Sequence, residues 1–275
     1  MPIDYRLYRK YGYEHCYDQI EYEMNIEDLN GFKSNGNLKK ANLNNIKEII
    51  NIEKSFLENL NGIVIRDENY YKNLFKEVES EDGYIYIHEN EISDGYIIYF
   101  INGDNIFVRE IYYKNINALK GMLRFIYNHN TQCKKVTISS PVHDKIKFVL
   151  SNPRNITMKL KPFMMGRIIN IEKYLESLYV ESDDESIVVM SIKDDYINEN
   201  NKIFKIKLKN NKLDVECGNY IPDVEFNINT ISQLAFSYIN GKEAYLLNDL
   251  EENEKVINFL DKVFIKKENY INEYV

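Results

Sequence analysis

The chain has 275 residues, 44% of them hydrophobic, and a formal net charge of −8. That length buries a real core and accommodates two domains of ordinary size. The acidic balance argues against a general nucleic-acid binder, which would present a basic face.

The three cysteines, Cys16, Cys133 and Cys217, are far apart and odd in number. They point to a reducing compartment without a disulfide framework. No stretch approaches the roughly 20 apolar residues of a membrane span, and the amino terminus lacks the apolar run of a signal peptide. A cytoplasmic protein is expected.

In chain order, Tyr8 to Tyr11 reads as the last turn of a helix, ended by Gly12 in the left-handed conformation. Tyr13 to Ile26 reads as a long strand. A helix already ending at residue 11 is too short to stand alone, so it docks on the body of the protein or has lost what it packed against. The glycines between Asn30 and Gly36 make a turn-rich connector, and a domain boundary is expected there.

An α/β alternation follows. Leu38 to Ala41 reads as a strand, and Asn42 as the cap before Ile46, Ile49, Ile50, Phe56, Leu57 and Leu60 at helical spacing. Asp67 to Val78 reads as a second helix. Asp82 to His88, Gly95 to Ile101 and Ile106 to Tyr113 read as an antiparallel meander. Ile116 to Tyr127 reads as a helix with Leu119, Met122, Leu123 and Ile126 on one face. Lys134 to Ser139 is a strand, His143 to Leu150 a helix and Ile156 to Lys161 a strand.

Phe163-Met164-Met165-Gly166-Arg167 opens the next unit. Ile171 to Leu178 reads as a helix. The acidic loop Glu181 to Glu185 reads as a solvated turn, with no metal site. Ser186 to Ile192, Lys202 to Leu208, Lys212 to Cys217 and Val224 to Ile228 read as four strands, with a tight hairpin at Asn210-Asn211. Thr230 is expected to cap a helix that Gly241 ends, before two helices over Glu243 to Leu250 and Glu254 to Phe264.

Candidate chemistry is sparse. His15, His88, His129 and His143 show no ligand spacing, so each reads as a strand or surface residue. His15 and Cys16 are adjacent on a strand and face opposite ways, which spoils them as a nucleophile pair. Ser139-Ser140 reads as a strand end before Pro141. Met164-Met165 reads as core packing.

The corner Tyr8-Arg9-Lys10-Tyr11-Gly12-Tyr13-Glu14 resembles the helix-to-strand corner near the end of a GNAT-type acetyltransferase domain. The element order after Leu38 resembles that of a second GNAT domain, and the four strands with trailing helices resemble a sterol-carrier-protein-like domain. With the terminal Asn269-Tyr270-Ile271-Asn272-Glu273-Tyr274-Val275, this order of parts resembles the enhanced intracellular survival protein family of GNAT acetyltransferases.

The resemblance implies an α/β (α+β) fold, with a GNAT-like mixed sheet and helices followed by a smaller sterol-carrier-protein-like α+β domain. Residues 1–30 would be the remnant end of an amino-terminal GNAT domain, 37–165 a degenerate GNAT-like domain and 166–275 the sterol-carrier-like domain. By ordinary domain size, about a hundred residues would precede Tyr8.

It also implies roles. Tyr8 would be the acid toward the leaving CoA thiolate. The terminal carboxylate of Val275 would be the base for an amine, aminoglycoside-like or another polyamine. Family members usually end in an aromatic residue, where this chain has Val275. Homo-oligomers are implied.

A working GNAT domain holds the pyrophosphate of acetyl-CoA on a loop of the form Arg/Gln-x-x-Gly-x-Gly/Ala. The corresponding stretch, Tyr112-Tyr113-Lys114-Asn115-Ile116-Asn117-Ala118, has no glycine, so side chains would crowd the phosphate. Acetyl-CoA is therefore expected for a full-length parent and no cofactor for this chain alone. The alternative reading is a non-catalytic small-molecule-binding or assembly module.

Overall fold

The structure, a computed structural model, describes residues 4–33, 36–182 and 184–273. It divides into two compact units, one comprising residues 18–161 and the other residues 1–17 with 162–275. The division falls within two strands, β1 (Glu14–Asn25) and β7 (Thr157–Gly166).

The first unit carries β2 (Asn37–Lys40), α2 (Ile46–Leu57), α3 (Glu68–Ser80), β3 (Tyr84–Asn90), β4 (Ile92–Asn102) and β5 (Asn105–Tyr113). It continues with α4 (Ile116–Tyr127), β6 (Lys135–Ser140) and α5 (Ile146–Val149). The sheet runs in the order β2-β3-β4-β5-β6-β1-β7. The expected meander is present as β3, β4 and β5, antiparallel throughout. The sheet is mixed because β6 runs parallel to β5 and antiparallel to β1.

The helices form where the apolar spacing predicts them. On α4, Leu119, Met122, Leu123 and Ile126 are all fully buried. Asn115 opens that helix by accepting the Ala118 N–H at 2.9 Å, which satisfies one of its otherwise orphaned donors. Asp67 does the same for α3 through Tyr70 N–H at 2.7 Å.

One expected helix contracts. His143 to Leu150 keeps only the four residues of α5. The Asp144 carboxylate accepts the Ile146 N–H, and this local bond competes with helix continuation on the amino side.

His88 is fully buried on β3. Its Nδ1 meets the Asp94 carboxylate at 2.6 Å, and its Nε2 faces α4 at Gly121. A Cβ at Gly121 would come within 2.3 Å of that nitrogen. The buried ring is held by Asp94 and cannot swing aside. Gly121→Ala is therefore expected to destabilise the protein. The overpacking cost of about 1–3 kcal/mol exceeds the roughly 0.5–1 kcal/mol that alanine gains inside a helix. A lower urea midpoint checks this, and a midpoint raised above wild type refutes it.

The other unit carries α1 (Tyr5–Lys10), α6 (Ile171–Ser177), β8 (Ser186–Lys193), β9 (Ile203–Lys209), β10 (Lys212–Cys217) and β11 (Val224–Asn227). It ends in α7 (Ile228–Ala235), α8 (Gly241–Leu247) and α9 (Glu254–Val263). Its sheet runs β10-β9-β8-β11, with β11 parallel to β8. Asn210 and Asn211, at φ of 51° and 62°, form the expected hairpin turn.

Two expected boundaries move. The cap of α7 is Asn227, whose side chain accepts the Thr230 N–H at 2.8 Å. Thr230 is thus a donor within the first turn and not the cap. The helix stops at Ala235, since Ser237 takes a φ of 60°. Gly241 consequently begins the next helix, behind a capping box of Asn240 and Glu243.

Candidate active site

Tyr8 lies in α1, a helix of six residues, and its side chain is half-buried. Gly12 follows with a φ of 80°. Its N–H bonds the Arg9 carbonyl at 3.0 Å, and Tyr13 N–H reaches back to the Tyr8 carbonyl at 3.2 Å. This closes the helix as the sequence predicts. The reversal brings the Tyr8 and Tyr13 rings edge to face, with centroids 6.0 Å apart. It also joins Arg9 to Glu14 at 2.8 Å.

Gly12 has a second reason to be glycine. A Cβ there would lie 2.7 Å from Arg167 Nη1 and 2.8 Å from Ile228 Cγ2. Arg167 is itself fixed. Its Nη2 donates to both carboxylate oxygens of Asp194 at 2.8 and 2.7 Å, and Asn200 Nδ2 adds a bond to the same carboxylate at 2.9 Å. Burial tends to raise the Asp194 pKa, but the bonds from Asn200, from the Tyr196 and Ile197 N–H groups and from Arg167 together outweigh it and hold the carboxyl below its ordinary range.

Amide side chains fasten the corner to this unit. Asn229 Nδ2 donates to the carbonyls of Arg9 at 3.2 Å and Tyr13 at 2.9 Å. Gln233 Nε2 donates to His15 O at 2.9 Å. Near the carboxyl terminus, Asn269 Nδ2 bridges the carbonyls of Cys16 at 2.8 Å and Phe236 at 2.7 Å. Asn269, Tyr270 and Asn272 are all buried. The tail is thereby anchored to the strand that follows Tyr8. Val275 lies outside the described residues.

Cys16 is fully buried, and burial pushes its thiol up to about 12, so it is no nucleophile at neutral pH. His15 points Nε2 at the Tyr17 carbonyl, 2.9 Å away. In the acidic loop, Asp184 pairs with Lys262 at 2.6 Å and Glu185 with Lys209 at 2.8 Å. Among the described residues no group of three or more His, Cys, Asp or Glu side chains could hold a metal ion. No helix among them is long and apolar enough to cross a membrane.

The segment between β5 and α4 contains no glycine. Its only residues are Lys114 and Asn115. The cap position is filled by the Asn115 side chain. Asn115 Nδ2 also holds the buried Asp94 carboxyl group at 2.9 Å, so an acidic side chain bonded to His88 already stands beside the start of α4. A phosphate there would meet the Asn115 side chain, which already takes the Ala118 N–H, with the Asp94 carboxyl group beside it.

The strands beside it part, but the gap is filled. β5 and β6 pair only from Asn105↔Lys135 to Val108↔Ile138, while β5 runs on through Tyr113. The Tyr113 hydroxyl accepts Lys145 N–H at 3.1 Å, with Tyr22 and Asp144 adjoining.

The sequence reading missed three buried polar groups: the ion pairs of Arg167 with Asp194 and of Arg66 with Glu53 and Glu110, and the contact of His88 with Asp94. The available signal was an ionisable residue inside an apolar run, as in Val108-Arg109-Glu110-Ile111.

Comparisons with known proteins agree with this architecture. Residues 62–168 match the acetyltransferase (GNAT) domain family, and residues 171–272 match the sterol carrier protein domain family. No curated protein matches the chain significantly. Among solved structures, a conserved protein of unknown function from Enterococcus faecalis, described as a probable N-acyltransferase, is similar at 25% identity and a TM-score of 0.84. The match covers 100% of this chain and 71% of that one.

A GCN5-related N-acetyltransferase from Anabaena variabilis shares the fold at 22% identity and a TM-score of 0.80, over 100% and 71% of the two chains. Eis1 from Mycobacterium abscessus shares it at 15% identity and a TM-score of 0.67, over 100% and 72%. The chain thus carries an acetyltransferase (GNAT) domain followed by a sterol carrier protein domain.

Proposed function

We propose that this chain is the acceptor-side and scaffold portion of an N-acetyltransferase resembling the enhanced intracellular survival family. It acts in the cytoplasm as a homo-oligomer and transfers acetyl to the amine of an aminoglycoside-like or other polyamine substrate. Acetyl-CoA is held by a further GNAT domain that the Tyr8 corner completes, and not by residues 37–165. Tyr8 gives a proton to the departing thiolate, and the terminal carboxylate of Val275 takes one from the amine.

The observation that carries this reading is the Asn269 bridge. It fastens the tail leading to Val275 onto the strand leading out of the Tyr8 corner, within one unit. The glycine-free connection between β5 and α4 supports placing acetyl-CoA elsewhere.

The test is calorimetry with acetyl-CoA, and acetylation of a panel of polyamines. Both are run on the 275-residue chain and on a chain extended into the reading frame upstream of Met1. Binding and acetylation only by the extended chain are expected. Stoichiometric acetyl-CoA binding by the 275-residue chain overturns the reading. In the active form, Tyr8→Phe is expected to lower kcat by about 100-fold, the lower range for loss of a general acid, with acetyl-CoA affinity kept. An unchanged kcat removes Tyr8 from the chemistry.

A further inference from the structure

A pocket of ≈ 490 Å³ opens on the first unit between α3 and the β2–β3 edge. Its volume is that of a small-molecule site. Phe75, Val78 and Ile85 line it together with Ala41 and Leu43, so most of its surface is apolar. Val78, Ile85 and Ala41 are buried, whereas Leu43 is 55% exposed at the rim. The spacing on α3 explains how one helix builds much of the wall. Lys72, Phe75, Lys76 and Glu79 stand three and four residues apart and share a face.

The charge around the pocket is unusual for this chain. The protein carries a net −8, and several lysines of the unit are matched to carboxylates. Lys39 pairs with Glu89, Lys159 with Glu23 and Lys161 with Glu21. Lys40, Lys72 and Lys76 line the pocket, are exposed, and form no ion pair among the described residues. Glu79 is the acidic group among the lining residues, which leaves an excess of two positive charges there. An apolar recess rimmed by unpaired ammonium groups complements a hydrocarbon chain ending in an anion. The hydrocarbon displaces water from the Phe75 side, and the ammonium groups remain partly hydrated while they pair with the head group.

We propose that this pocket is a binding site for a fatty monocarboxylate of medium chain length. The site is distinct from the Tyr8 corner and does not depend on acetyl transfer. The hydrocarbon lies over Phe75, Val78 and Ile85, and the carboxylate sits among Lys40, Lys72 and Lys76.

The test is isothermal titration of the intact 275-residue protein with decanoate. Decyltrimethylammonium serves as the probe with the same chain and opposite charge, and acetate as the probe without a chain. Saturable binding of one decanoate is expected, with neither control binding. The exposed pair Lys72→Glu/Lys76→Glu is expected to weaken decanoate by about tenfold or more, because two attractive charges become repulsive. Leu43→Asp is expected to weaken it through the apolar rim.

Circular dichroism verifies that the variants remain folded, which exposed positions permit. Equal binding of decyltrimethylammonium overturns the proposal. So does wild-type affinity in the double lysine variant, which would put the ligand elsewhere on the protein.

Discussion

Arg66→Met is expected to destabilise the protein by about 3–5 kcal/mol, the range for removing one partner of a buried ion pair. Arg66 Nη1 lies 3.1 Å from Glu53 and 3.0 Å from Glu110, and all three side chains are buried. Its guanidinium stacks over the Tyr70 ring, 4.9 Å from the centroid. Burial alone would lower the Arg66 pKa. The charge of Glu110, with Tyr112, Tyr96 and Glu53 behind it, reverses this and holds the pKa above its ordinary value.

Glu110 also accepts the Tyr96 hydroxyl at 2.9 Å, and the Tyr71 hydroxyl lies 3.4 Å from that of Tyr96. Arg66 thus faces two carboxylates, and the Arg109 charge also acts on Glu110. Methionine keeps much of the stem volume but leaves both anions in a medium that solvates them poorly.

The variant should melt roughly 10 °C below wild type. Adding Glu53→Gln and Glu110→Gln should restore part of the loss at pH 7. A single variant with wild-type stability, or a triple variant no more stable than the single one, would refute this account of the cluster.

That cluster marks where reading the sequence stops working. Spacing alone exposes the buried stripe of α4, and the Asn210-Asn211 turn names its hairpin, since both depend on residues a few positions apart. The Tyr8 corner is legible for the same reason: Gly12 carries it locally.

Glu53 sits on α2, Arg66 in the following segment and Glu110 on β5. Their meeting depends on how helices cross the sheet, which no local pattern encodes. Asn269 and Cys16 are 253 residues apart. Nothing near Asn269 predicts that it bridges two carbonyls. Local bonds also outcompeted helical periodicity, with Asn227 taking the cap expected of Thr230 and Asp144 shortening α5.

Asp144→Asn should stabilise the protein at pH 8 and lose that advantage toward pH 4. Asp144 is buried on the turn after β6, and burial pushes its carboxyl up to about 6. The Ile146 N–H donates to Oδ1 and holds the pKa from rising further. Tyr22 and Ser140 adjoin the carboxylate and act in the same direction, yet Tyr22 Oη, Ser140 Oγ and Asp144 Oδ2 have no partner in hydrogen-bond geometry among the described residues. The ionised form is therefore under-solvated.

The folded protein holds this proton more tightly than the unfolded chain, whose value is near 3.8. Below that value the group costs nothing. Between it and about 6 the unfolded chain ionises first, so stability falls as the pH rises, and above about 6 the full penalty is in place. The shift corresponds to at most about 3 kcal/mol.

Asparagine keeps an oxygen for the Ile146 N–H and carries no charge. Unfolding free energies of the two proteins from urea titrations should coincide near pH 4 and separate by about 1–3 kcal/mol by pH 8, with asparagine the more stable. A variant that is less stable by the same amount at every pH would mean that the carboxylate is the better acceptor in this gap. Asp144 would then be a fixed structural acceptor and not a strained acid.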